Sequence, residues 1–350
     1  MTFFYVIIAI LIFGLLIVIH ELGHFSAAKL FGVRVEEFAV GMGPALLKKQ
    51  KGETLYSLRA IPLGGYCAMT GEDGESEDPR AFINQKAWKR LIILAAGSFN
   101  NFLLGVVIVL CLFAGTKQIL SPVIVEFMEG CPYESAEGLQ VGDRITAIDG
   151  HSVLIHGDID RLLHGDGVYD IEVERAGQKL LLKSFELRRV EYPEGLFFGL
   201  RFGQYDEATP RQIWRHSWNT VRDYVGLVWQ SLGMLLHGEA SVNDLAGPVY
   251  IVDMMAESGA QEETVSGGLW TVFNFGAFIA LNLAVMNMLP IPALDGGRIF
   301  LLLVTALIEA LTRKKLNPKY EAYIHAAGMV LLLALMAYVM LHDIVRLVTG

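Results

Sequence analysis

His20, Glu21 and His24 stand in the order His-Glu-x-x-His. Two histidines four residues apart on a helix lie on one side, one turn apart, so both can reach the same metal ion. A glutamate between them can serve as a general base toward a zinc-bound water. The setting is unusual for that chemistry. Phe3 to Ile19 carries no charged residue, so the motif closes an almost unbroken apolar stretch that begins at Thr2. Ionisable residues in a membrane-spanning segment are costly and tend to be functional. The pattern therefore points to hydrolysis in or at the bilayer.

A catalytic zinc generally has three protein ligands and one open position. Asp295 is the strongest third candidate, in Asn287-Met288-Leu289-Pro290-Ile291-Pro292-Ala293-Leu294-Asp295-Gly296-Gly297. Pro290 and Pro292 break a helix there and let a short extended stretch bend toward a metal. The elements that must carry these groups are membrane helices. The chain has 350 residues, 53% of them hydrophobic, and a mean hydropathy of +0.44. Thr2 to Ile19, Leu91 to Ala114 and Tyr323 to Leu341 are long enough to span a bilayer. A fourth run, Leu269 to Leu289, contains Asn274, Asn282 and Asn287. The first run is too long for a signal-peptide core and lacks a basic start, so it reads as an anchor. Cys67, Cys111 and Cys131 are scattered and read as packing residues.

Charge gives an orientation. Segment 25–90 holds ten Lys and Arg, whereas 114–269 holds twelve against twenty-four Asp and Glu. Lys86, Lys89 and Arg90 precede the second span, and Arg313, Lys314 and Lys315 precede the last. Basic residues beside helix ends mark the cytoplasmic side. Segments 25–90 and 312–320 are expected inside, with 114–269 and both termini outside. The first and third spans then both run inward, which brings His24 and Pro290 to one depth. No basic face suggests nucleic acid as a partner.

Between the spans the pattern changes. Residues 31–40 and 55–61 alternate as strands, with turns expected at Gly41-Met42-Gly43-Pro44 and Pro62-Leu63-Gly64-Gly65-Tyr66. Segment 120–203 reads as a small globular domain, with an Asp149-Gly150 hairpin, a helix near Ile159 to Leu163 and an Ala176-Gly177 turn. Segment 210–237 is amphipathic, its Trp214, Trp218 and Trp229 suiting a membrane interface.

His-Glu-x-x-His in the first span, with the Pro-x-Pro-x-Leu-Asp-Gly-Gly stretch in the third, resembles the site-2 protease family, the M50-type intramembrane zinc metalloproteases. The chain is most similar to the regulator-of-sigma-E protease branch. Ala96-Gly97, Asn101-Phe102 and Gly247-Pro248-Val249 match as well. Segment 120–205 is similar to a PDZ domain, most clearly at Ala136 to Ile145. Only one such domain fits, where the best-known member has two.

The resemblance implies a polytopic α-helical membrane protein with four transmembrane helices. A membrane-associated β-hairpin or sheet follows the first, and an α+β PDZ domain is inserted between the second and third. The expected organisation is 1–30 first span, 31–90 cytoplasmic-side sheet and loop, 91–115 second span, 120–205 PDZ domain, 210–260 amphipathic helix with the Gly-Pro-Val segment, 268–311 third span, and 321–348 fourth. It implies Zn2+ held by His20, His24 and Asp295, with Glu21 as base. The substrate would be a single-pass transmembrane protein, already cut by another protease, in the bacterial cytoplasmic membrane. An anti-sigma factor and signal-peptide remnants are examples. Gly41 and Gly43 would let an unwound substrate strand approach, and Asn101, Asn287, Pro290 and Pro292 would bind it. Val123, Ile124 and Val125 would form the PDZ peptide groove. Competing readings are an intramembrane zinc transporter and an inactive membrane scaffold that presents its PDZ domain.

Overall fold

The computed structural model describes residues 2–72, 74–163, 165–193, 195–239, 247–312 and 318–349. Arg313, Lys314 and Lys315 lie outside them. The chain forms two compact units, 1–109 with 223–350, and 110–222.

In the first unit, helix α1 (Thr2–Leu30) runs unbroken through the His-Glu-x-x-His motif. Tyr5, Ala9, Ile12 and Leu16 bury one stripe, while Phe3, Leu11 and Leu15 stay exposed. Helices α2 (Ala87–Phe113), α6 (Val265–Asn287) and α8 (Pro318–Thr349) supply three more candidate spans. These four helices are long and apolar enough to cross a membrane, and the chain is a membrane protein. Hydrocarbon, not water, suits the exposed Phe3, Leu11, Leu331 and Val330.

Packing in lipid depends on close approach more than on burial from water. Small residues supply it here. A Cβ on Gly276 would stand 3.0 Å from Ile12 Cγ2, and one on Gly268 would collide with the Tyr5 ring. These contacts pair early α1 with early α6, so the two helices run parallel. A Cβ on Gly105 would meet Leu281 at 2.7 Å, which seats α2 on α6. Helix α4 (Pro210–Leu236) uses its second half here. Tyr224 donates a 2.7 Å hydrogen bond to Asn274 Oδ1, which satisfies a polar group midway along α6.

The Gly-Pro-Val segment opens a helix. Gly247 is the N-cap and Pro248 the first residue of helix α5 (Pro248–Gln261), whose Met255, Ala256 and Gly259 are buried in the α1–α6 cluster. Asp343 of α8 accepts from the Gly247 and Tyr250 amides, both at 3.2 Å, so the helix start is satisfied. The expected third span 268–311 is two helices. Helix α6 ends at Asn287, and helix α7 (Asp295–Thr312) starts after the proline turn.

Strands β1 (Val35–Lys51) and β2 (Thr54–Met69) form the sheet after α1. The chain reverses between them at Gly52-Glu53. Gly41 to Pro44 was expected to end a strand, yet it is a bend inside β1, with φ +86° at Gly41 and +82° at Gly43. Pro62 to Tyr66 likewise stays within β2. Glycines with positive φ serve turns and bulges alike, and spacing does not separate the two. The register shows the consequence. Glu37 to Val40 stand between Leu55–Leu58 on one side and Gly65–Ala68 on the other. Residues 65–69 are thus paired on one flank only.

The second unit holds a four-stranded sheet in the order β6 (His151–Ser152), β5 (Arg144–Ile148), β7 (Gly167–Arg175), β8 (Gln178–Leu187). Both predicted turns occur there, with positive φ at Asp149 and Gly150 and at Ala176 and Gly177. The core is Ile124, Leu139, Ile145, Ile148, Ile171, Val173 and Leu187. Helix α3 (His156–Leu162) carries Asp158, which is 2% exposed. Arg215 and Asn219 of α4 donate to its Oδ1 at 2.8 and 2.7 Å. Burial works to raise the Asp158 pKa, but the bonds from Asn219, the Leu154 amide and Arg215 outweigh it and hold the carboxyl below its ordinary range.

Candidate active site

Helix α1 presents His20 and His24 one turn apart, and α7 presents Asp295 at its first residue. Asp295 Oδ2 is 3.2 Å from His20 Nε2 and 3.4 Å from His24 Nε2, and the two Nε2 atoms are 3.2 Å apart. Three ligand atoms at the corners of a tetrahedron around zinc, with bonds of 2.0–2.2 Å, lie about 3.3–3.5 Å apart. The triangle therefore has the size that zinc requires. Among the described residues it is the only cluster of this kind. Asp295 Oδ2 is buried with no hydrogen-bond donor. Such an atom is costly unless a cation completes it.

The support for each group is specific. His24 Nδ1 lies 2.8 Å from the Ile93 carbonyl, so that nitrogen carries the proton and Nε2 keeps its lone pair. A Cβ on Gly23 would collide with the Ala96 carbonyl, and one on Gly97 would collide with the His24 ring. Ala96-Gly97 thus lets α2 lie directly on the histidines. Behind Asp295, Gly296 and Gly297 leave no room for a Cβ against residues Met288 to Pro292. Ala293 holds φ +81°, a strained value for a residue with a Cβ, and its amide donates to His325 Nδ1 of α8 at 3.3 Å.

A cleft of about 390 Å³ opens on the cluster. Glu21, Tyr66 to Met69, Glu72, Asn287 and Arg298 line it, and Arg298 donates to Glu72. Gly65 lets β2 pass the motif, since a Cβ there would stand 3.2 Å from Glu21 Cγ. Burial, with the Glu21 carboxylate beside it, pushes the Cys67 thiol well above its ordinary pKa. Cys67 is therefore a neutral thiol, unsuited to act as a nucleophile.

The remaining sequence candidates fall in different places. Asn287 lines the cleft. Asn101 does not; it is 1% exposed, against the His20 ring. Gly41 and Gly43 shape the bend of β1, and Tyr66 to Met69 are the strand residues beside the site. Pro290 and Pro292 build the turn that delivers Asp295 and are not in the cleft lining. The groove expected at Val123, Ile124 and Val125 needs correction. Strand β4 (Ile124–Phe127) pairs with β11 (Leu200–Phe202) on one flank. On the other, the Ile124 amide donates to Asp143 O at 2.9 Å and Gly142 N to Ile124 O at 2.8 Å. At Ile124 both flanks are taken, so a peptide cannot add at that residue. A short β-branched run looks the same in sequence whether its strand is central or at an edge.

Two kinds of comparison say what the chain is similar to. The profile of peptidase family M50 matches residues 8–335. A protein of Clostridium acetobutylicum named as a zinc metalloprotease is 37% identical over 351 residues, covering 99% of this chain and 98% of its own. One of Clostridium perfringens with a similar name is 34% identical over 346 residues, covering 97% and 98%. The zinc metalloprotease RasP of Bacillus licheniformis is 29% identical over 434 residues, covering 98% and 99%. The chain belongs to peptidase family M50.

Proposed function

We propose that this protein hydrolyses peptide bonds within the transmembrane segments of single-pass membrane proteins. It is a zinc metalloprotease, as its family and its relatives' names give. The observation that carries the intramembrane reading is the position of the His20–His24–Asp295 triangle. Two of its corners lie within an apolar helix long enough to span a bilayer, and the third follows the end of another.

His20, His24 and Asp295 would hold the zinc. When bound, zinc supplies a Lewis acid that makes water a nucleophile near neutral pH and polarises a carbonyl. Glu21 lies one residue from His20, in the same cleft. Its carboxylate takes the proton of the attacking water and returns it to the leaving amine. A transmembrane helix must unwind before it can be cut, because its carbonyls are bonded internally. The flank of residues 65–69 not paired with β1 can take up an unwound strand by backbone pairing. Asn287 can donate to the extended backbone from the opposite wall of the cleft. The organisation into the spans, sheet and PDZ-like insert set out above, the sigma-E-regulator branch and the bacterial cytoplasmic membrane belong to the same proposal. Docking at Ile124 does not.

The test is cleavage of a single-pass reporter helix by purified wild type and Glu21→Gln, with zinc measured on both. A general base contributes roughly 10²–10⁴-fold, so Glu21→Gln should cut at least about a hundredfold more slowly while holding as much zinc as wild type. Equal cleavage by the two would remove Glu21 from the mechanism.

A further inference from the structure

We propose that Asn101 is a positioning residue for His20: its side-chain carbonyl accepts the proton on His20 Nδ1 and so leaves Nε2 free for the metal. The inference rests on the metal reading above and concerns a residue with no contact to the cleft.

The two site histidines face the same helix, and α2 runs antiparallel to α1 along them. Ile93, Gly97 and Asn101 are four apart, so all three lie on one face of α2. The Ile93 carbonyl accepts from His24 Nδ1 at 2.8 Å. Gly97 gives both rings room. Asn101 meets the Nδ1 of His20, with its Nδ2 at 3.5 Å. Each histidine thus directs Nε2 to Asp295 and Nδ1 to α2.

The chemistry at Nδ1 fixes what Asn101 must do. If Nε2 of His20 is a metal ligand, its lone pair is committed and the proton must sit on Nδ1. An N–H there needs an acceptor, and an amide NH2 is not one. The Asn101 carbonyl oxygen is buried and has no donor. Turning the amide by 180° about its last bond exchanges the two groups. The oxygen then takes the His20 proton, which cures both faults in one step. Asn101 meets α1 at the metal-ligand ring itself, whereas its neighbour Asn100 bonds α1 at the backbone, donating to the Ile19 carbonyl at 3.3 Å. Substrate contact does not either, because Asn101 is 1% exposed. Outer partners of this kind orient the ring and raise the basicity of the ligand nitrogen.

Zinc affinity is the readout, measured on the full chain in detergent by competition with a chelator, with no substrate present. Asn101→Leu keeps the size and removes the acceptor. It should bind zinc roughly 10–100-fold more weakly than wild type, the usual effect of losing an outer partner. Asn101→Asp keeps an acceptor at the same position and should bind at least as tightly as wild type. Wild-type affinity in Asn101→Leu would overturn the proposal. So would a tenfold loss in Asn101→Asp with an unchanged melting temperature, and this second arm stands even if Asn101→Leu does not fold. A wild type that binds no zinc would instead overturn the metal reading itself.

Discussion

The close approach of α1 and α2 at the site depends on two missing side chains, Gly23 on α1 and Gly97 on α2. A Cβ on Gly97 would stand 2.8 Å from Cε1 of both His20 and His24, besides colliding with His24 Nε2. Gly14, in the same α1 as the histidines, has nothing within 4 Å of such a Cβ. Helix propensity favours alanine over glycine at both positions, by about 1 kcal/mol. The contacts reverse that preference at Gly97 alone. Forcing a methyl group into a packed site costs about 1–3 kcal/mol. Gly97→Ala should therefore bind zinc roughly ten- to a hundredfold more weakly and cleave correspondingly less, while Gly14→Ala keeps both. Parallel zinc titrations of the two variants check this, and equal affinities would mean that α2 yields at no cost. At this scale the sequence was informative about ligands, and it marked Ala96-Gly97 and Asn101 without telling what they support. His20, Glu21 and His24 were legible because their spacing alone puts them on one face, and Asp295 because prolines precede it. The partner of His24 is the Ile93 carbonyl, a backbone atom that no side-chain pattern announces.

Strand β2 sets how the cleft can be used. Residues 65–69 pair with β1 on one side, and Tyr66 to Met69 line the cleft. The Met69 amide donates to Glu72 Oε2 at 3.3 Å. That N–H points to the cleft side, where a substrate carbonyl would have to replace Glu72, and proline at Met69 removes it and fixes φ. One lost backbone hydrogen bond is worth about 1 kcal/mol, or somewhat under tenfold. Met69→Pro should lower cleavage of a helical reporter by about that factor or more, with zinc content unchanged. Cleavage at the wild-type rate would show that the substrate does not pair there. Alternation was enough to foresee strands after α1, and glycine and proline were enough to foresee bends. The sequence put Gly41 and Gly43 beside the substrate because close backbone approach and backbone bending both call for glycine. Which use applies depends on the β1–β2 register, and that is set by residues nearly thirty apart.

Over the whole molecule, charge and connectivity make one claim together. Helices α1 and α6 run parallel, as the Tyr5–Gly268 and Ile12–Gly276 contacts show. Both therefore deliver their motifs at the same end, where the side chains meet in the 3.2–3.4 Å triangle. Parallel helices do not say which end faces the cytoplasm. That rests on the ten basic residues of 25–90 and the acidic excess of 114–269. Cysteine labelling can read it directly. With Cys67, Cys111 and Cys131 replaced by serine, a new cysteine can be placed at Leu196, 62% exposed in the inserted unit, or at Lys51, exposed where β1 ends. In intact cells with the outer barrier opened, a membrane-impermeant thiol reagent should modify Leu196→Cys and spare Lys51→Cys. The latter should react only once the inner membrane is breached. The reverse pattern would place the cleft on the outer side. Any fragment released would then leave the cell, and signalling to the cytoplasm would be ruled out whatever the triangle binds.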